Sequence, residues 1–177
     1  MTVLVLGTPD SGKSRFAESL MDELAGDKEK IYIATMIPFG KTGEERIKKH
    51  RKMREGKGYL TIECPVDVLG IAAKTEGIED KCCLLECLSN LIGNEIHSED
   101  NNGMDDDRII DKITGDVTAL GSKCRHLVIV SNHFPSDDPE YDEDTRHYVR
   151  ITDLVNKKLS LNMDQIYELT FEGWIRK

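Results

Sequence analysis

The chain has 177 residues, with 33 acidic and 24 basic side chains and a formal net charge of -9. That length suits one domain with its own core, and the acidic balance argues against a general nucleic-acid binder, whose surface would be basic. No apolar run is long enough to span a membrane, and the first residues read as a strand rather than a signal core, so the expected address is the cytoplasm.

Six short apolar segments read as strands: 2–6, 30–35, 59–63, 82–87, 126–131 and 165–171. They are rich in branched residues, as the strands of a buried parallel sheet are. Helical stripes alternate with them. Phe16, Leu20, Met21 and Leu24 form one, with Gly26 as its stop. Ile109, Ile113, Val117 and Leu120 form another, and Tyr148, Ile151, Val155 and Leu159 a third. This alternation predicts an α/β fold, a mostly parallel central sheet flanked by helices, in one domain over residues 1–177. Two acidic stretches, 98–107 and 135–144, read as solvated loops, the first ending in aspartates that cap the next helix. Cys64, Cys82, Cys83, Cys87 and Cys124 lie in apolar surroundings without a C-x-x-C pair, and read as reduced packing residues.

The first strand candidate runs into Gly7-Thr8-Pro9-Asp10-Ser11-Gly12-Lys13-Ser14. This fits G-x-x-x-x-G-K-S, and the motif's context is met by a strand before it and an amphipathic helix after it. Its glycines let backbone N–H groups approach phosphate oxygens, and the helix beginning at Lys13 adds its positive end. Lys13 supplies a charge for the outer phosphates, and the Ser14 hydroxyl suits Mg²⁺. The expected fold is therefore like that of the P-loop NTPases. Such a loop serves kinases, ATPases and GTPases alike, and a second metal-binding acid is expected at another strand end. Glu86, in Leu84-Leu85-Glu86-Cys87, is the candidate. Asp10 stands out, because a carboxylate there repels phosphate unless it turns outward or pairs with a cation.

Residues 41–54 form a basic helix in an acidic protein, with His50 inside it. Its cations attract nucleotide phosphates and favour a neutral imidazole, which can attack phosphorus and hold a covalent intermediate. Local spacing alone favours a surface histidine on a solvated helix.

Taken together, these segments resemble the bifunctional adenosylcobinamide kinase / adenosylcobinamide-phosphate guanylyltransferase family of cobalamin biosynthesis. The resemblance spans nearly the whole chain: residues 3–14, Ile31 to Thr35, Arg46-x-x-x-His50-x-x-x-Arg54, Thr61-x-Glu63, Leu84 to Leu88 with Asn94, and Val155-Asn156. It implies that ATP or GTP phosphorylates the hydroxyl of adenosylcobinamide, and that GMP then passes from GTP to that phosphate through a histidine adduct, by position His50. It further implies that Gly7, Thr8, Pro9, Asp10, Ser11, Gly12, Lys13 and Ser14 cradle the nucleotide, and that Ser14 and Glu86 hold Mg²⁺. Arg46 and Arg54 would steady phosphates and Glu63 would orient the nucleotide. A homo-oligomer, a trimer, is expected by the same resemblance.

The chain also departs from the family pattern. Asp10 stands where the family carries arginine, and Thr8 where it carries glycine. Ser131-Asn132-His133-Phe134-Pro135 replaces a T-N-E-V-G run, and Tyr148, Val149, Arg150 and Asp153 replace an F-R-D and a glycine. Two other readings therefore stay open: a phosphate-loop kinase or nucleotidyltransferase for another small molecule, and a nucleotide binder without turnover.

Overall fold

The computed structural model describes residues 1–38, 40–135, 138–170 and 173–176, and within them leaves aside the side chains of Thr42, Glu44, Arg46, Met53 and Thr170. The ends of two expected segments, Phe171 of the last strand and Ser136 and Asp137 of the second acidic loop, lie outside these residues.

Seven strands form one sheet: β1 (Thr2–Gly7), β2 (Lys30–Ala34), β3 (Tyr59–Glu63), β4 (Cys82–Glu86), β5 (His126–Asn132), β6 (Gln165–Thr170) and β7 (Gly173–Arg176). Their order is β3-β2-β4-β5-β1-β6-β7. All neighbours run parallel except β6 and β7, which form an antiparallel edge. Six of the strands match the sequence expectation to within a residue or two, and β7 is additional.

The helices are α1 (Lys13–Ala25), α2 (Gly40–Arg54), α3 (Gly70–Lys74), α4 (Leu88–Ile96), α5 (Asp106–Lys123) and α6 (Glu143–Ser160). Successive strand residues point to opposite faces, so the sheet has two cores. Leu4, Ile31, Ile33, Leu85, Leu127 and Ile129 pack under α4, α5 and α6. Val3, Val5, Tyr32, Leu84, Val128 and Val130 pack with Ala17, Met21 and Ala25 of α1. Because both faces are covered, the middles of the central strands are apolar on both sides, and every residue of β4 is buried. Cys82, Cys83 and Cys124 belong to this packing.

The first acidic loop ends as expected, and the second ends the same way. Asp105 accepts from the Arg108 N–H and caps α5, and Asp142 accepts from the Thr145 N–H and caps α6. Parallel pairing has one consequence for function. In register, Gly7 of β1 lies beside Asn132, and Glu86 of β4 lies beside Val130 and Ala34. The carboxyl ends of β1, β2, β4 and β5 therefore share one edge, where open α/β sheets take their ligands.

Candidate functional site

β1 ends at Gly7, and the loop 8–12 turns the chain into α1. A Cβ on Gly7 would stand 2.7 Å from Ser11 Oγ, so a side chain there would push that hydroxyl aside. Gly12 has φ +88, the left-handed geometry that lets the helix start directly after the turn. Lys13 is buried, and its Nζ donates to the Thr8 carbonyl at 2.9 Å, so the loop closes on its own lysine. Thr8, Pro9 and Asp10 are exposed. Asp10 has φ 59 and no hydrogen-bond or ion-pair partner among the described residues. Of the two escapes open to a carboxylate in this loop, it takes the outward one.

Ser14, one residue into α1, donates its hydroxyl to Glu86 Oε1 at 2.5 Å. Glu86 ends β4 inside the sheet, and its second oxygen, Oε2, is buried without a hydrogen-bond partner among the described residues. Burial pushes the Glu86 carboxyl up to about 7, against the opposing hydrogen bond from Ser14 and the charges of Lys13 and Arg54. A hydroxyl and a carboxylate with an unused oxygen are hard donors, the set that Mg²⁺ prefers beside nucleotide phosphates. The residues present fit that ion.

The turn from β4 to α4 is fastened to β2. The Thr35 hydroxyl accepts from the Cys87 N–H and donates to the Cys87 carbonyl, both at 2.8 Å. Asn94 Nδ2 donates to the Thr35 carbonyl at 2.7 Å and the Pro65 carbonyl at 2.9 Å. Thr35 and Asn94 thus tie together the roots of the segment that carries α2. The sequence displays both residues within its motifs, but the bonds join positions 52 and 59 residues apart and leave no local signal.

α2 has two sides. Lys41, Glu45, Lys48, Lys49, Arg51 and Lys52 are exposed, whereas Gly43, Ile47, His50 and Arg54 are half-buried or buried. These four recur at helical spacing, so His50 lies on the inward face rather than on the solvated one. Arg54 is buried over the ring of Tyr32, with Cζ 3.5 Å from the ring centroid. Glu63 is mostly exposed and pairs with Arg51 at the end of β3, away from the Ser14–Glu86 pair in sequence and in partners. The Arg46 side chain lies outside the described residues.

Past β5 the departures from the family pattern have structural partners. The Tyr148 hydroxyl donates to the Ser89 carbonyl at 3.0 Å, and Phe134 packs against the Tyr148 ring. Val149 is buried, and Arg150 is ion-paired with Asp106. His133 is exposed, its backbone N–H bonded to the Gly7 carbonyl.

The family model for cobinamide kinase / cobinamide phosphate guanyltransferase matches residues 3–175. The chain belongs to that family. It is 30% identical over 149 residues to the bifunctional adenosylcobalamin biosynthesis protein CobP of Pseudomonas aeruginosa, covering 84% of this chain and 81% of that one. It is 28% identical over 178 residues to the bifunctional adenosylcobalamin biosynthesis protein CobU of Salmonella typhimurium, covering 94% of each. Among solved structures it resembles a prototypical ATPase from the type III secretion system of pathogenic bacteria, with a TM-score of 0.59 and 11% identity over 97% of this chain and 51% of that one. This last likeness shows the fold, that of the P-loop ATPases. In this family member the phosphate loop, the Ser14–Glu86 pair and the basic helix lie on one scaffold. No helix among the described residues is long and apolar enough to cross a membrane.

Proposed function

We propose that this chain phosphorylates adenosylcobinamide with a nucleoside triphosphate and then transfers GMP from GTP to the new phosphate, in cobalamin biosynthesis. The observation that carries the reading is the position of His50, on the inward face of a cationic helix in a protein with an intact phosphate loop.

In the first step the acceptor hydroxyl attacks the γ-phosphorus of ATP or GTP. The bond to the β,γ-bridging oxygen breaks, the nucleoside diphosphate leaves and the hydroxyl proton is released. Lys13 and the loop N–H groups hold the triphosphate in line for that displacement. Ser14 and Glu86 would hold Mg²⁺, which when bound screens the phosphate charge. In the second step a ring nitrogen of His50 attacks the α-phosphorus of GTP, the bond to the α,β-bridging oxygen breaks and pyrophosphate leaves. A phosphate oxygen of adenosylcobinamide phosphate then attacks the same phosphorus and frees the His50 nitrogen. Splitting the transfer in two lets one neutral nucleophile serve both donor and acceptor.

A second reading keeps the nucleotide chemistry but changes the acceptor. It is favoured by the residues past β5, where Val149 is packed inside and Arg150 is bound to Asp106.

The test is incubation with GTP radiolabelled at the α-phosphate, with Mg²⁺, on wild type and His50→Ala. An acid-labile, base-stable label on wild type alone is expected. GTP binding without label would sink the guanylyl transfer, and a label with no turnover of adenosylcobinamide would favour the second reading.

A further inference from the structure

α2 docks without the usual means. A helix normally lies down on an apolar stripe, but among the 15 residues of α2 only Ile47 and Met53 are large and apolar, against seven lysines and arginines. Polar contacts at its C-terminal end replace the stripe. Arg51 pairs with Glu63, both mostly exposed, which gives little hold. Lys57, just past the helix, pairs with the buried Glu18 of α1. Arg54 is 8% exposed, unusual for an arginine, and its contact is the face of Tyr32.

That ring is itself fixed. Tyr32 sits on β2, 3% exposed, and Tyr59 of β3 meets it edge-on with centroids 6.0 Å apart and planes at 84°. A guanidinium stacked on a desolvated ring is held in plane as well as in place. Arg54 Nε is buried with no hydrogen-bond partner among the described residues, and the guanidinium carbon lies 3.5 Å from the ring centroid, with its charge also felt at Glu86.

His50 and Arg54 are four residues apart and share the inward face of α2. Whatever fixes the roll of the helix at Arg54 also fixes the direction of the His50 ring. We propose that Arg54 is a positioning residue: clamped on Tyr32, it sets the roll of α2 and thereby aims His50 at the α-phosphorus, and it is not itself a phosphate ligand. This rests on the reading of His50 as the guanylyl acceptor. Nucleophilic attack is steep in geometry, and a displacement of about 1 Å costs on the order of 100-fold in rate.

Tyr32 is the decisive position for a test, because a phosphate ligand at Arg54 would not need its ring. Single-turnover adduct formation at saturating GTP and the dissociation constant of GTP are measured for Tyr32→Leu, Tyr32→Phe, Arg54→Met and Tyr32→Leu/Arg54→Met. Tyr32→Leu and Arg54→Met are each expected to slow adduct formation at least tenfold, with GTP affinity within about threefold of wild type. The double variant should be no slower than either single one. Tyr32→Phe keeps the ring face and should react at close to the wild-type rate, which also controls for folding. Loss of GTP affinity in Arg54→Met with a normal rate in Tyr32→Leu would overturn the proposal and make Arg54 a phosphate ligand. If wild type forms no adduct, the His50 reading has failed, and the clamp is then read by trypsin. Cleavage at the lysines of α2 should be faster in Tyr32→Leu than in Tyr32→Phe, and equal rates would overturn the clamp.

Discussion

Ser14 and Glu86 are 72 residues apart in the chain and meet in a 2.5 Å hydrogen bond. The first opens α1, the second closes β4, and parallel pairing of β1, β5 and β4 brings both to one edge of the sheet. The pair buries a carboxylate beside the phosphate loop, with one oxygen unbonded among the described residues. A fold does not retain such a group for stability, since an unpaired buried oxygen is costly.

That cost is measurable as a pH effect on the ligand-free protein. Burial raises the Glu86 carboxyl from its unfolded value of 4.5 to about 7. Between those values the folded chain keeps a proton that the unfolded chain has released. Folding stability therefore falls as pH rises through this window, by about 3 kcal/mol if Glu86 acts alone. Glu86→Gln removes the dependence. Urea denaturation of both proteins from pH 4.5 to 7.5 should show wild type losing ground steadily to the variant. Parallel curves would mean that Glu86 is ionised throughout.

Asp10 gives a prediction of the opposite kind, one on binding. It is exposed and unpartnered among the described residues, in the loop proposed to receive phosphates. An outward carboxylate still repels a polyanion through water, but weakly and within a Debye length. Asp10→Asn keeps a residue type that tolerates the left-handed φ of 59 while removing the charge. GTP should bind the variant about two- to fivefold more tightly in low salt, and the difference should vanish near 1 M salt. A fluorescent GTP analogue titrated at both salt concentrations reads this directly. An unchanged affinity in low salt would show that Asp10 has no electrostatic hold on the nucleotide.

Much of this architecture is legible in the sequence, and the exceptions have physical causes. β4 is a run of buried residues on both faces, so Cys82 to Glu86 declares a central strand, and the acid at its end declares a site. β7 has four residues, Gly173 to Arg176, too few to show a period. It is held by long-range contact, with Trp174 stacked on Phe16 of α1 at 4.2 Å. α4 is interrupted by Asn90, Gly93 and Asn94, which weaken its helical signal. The order of the strands is not local information at all. In the site, the loop and Glu86 are written as a motif and a strand end. The inward face of α2 is not, because the rule that charges face water hides Arg54, whose burial depends on an aromatic ring 22 positions earlier in the chain.

The same environment argument separates two glutamates that both carry ion pairs. Glu63 and Arg51 are 67% and 60% exposed in their side chains, so their pair competes with water and salt. Glu95 is 3% exposed and holds three elements together. It accepts from the Asp67 N–H at 2.9 Å, Asn101 Nδ2 at 2.6 Å and Lys112 Nζ at 2.9 Å, joining α4 to the loop after β3 and to α5. Removing a buried anion leaves its donors desolvated and unpaired, which costs about 3–5 kcal/mol. Glu95→Ala should therefore lower the urea midpoint sharply, and Glu95→Gln, which keeps an acceptor oxygen, should lower it less. Glu63→Ala should move it by less than about 1 kcal/mol. Equal effects of Glu95→Ala and Glu63→Ala would refute burial as the deciding variable, since both pairs join a carboxylate to a cation at contact distance.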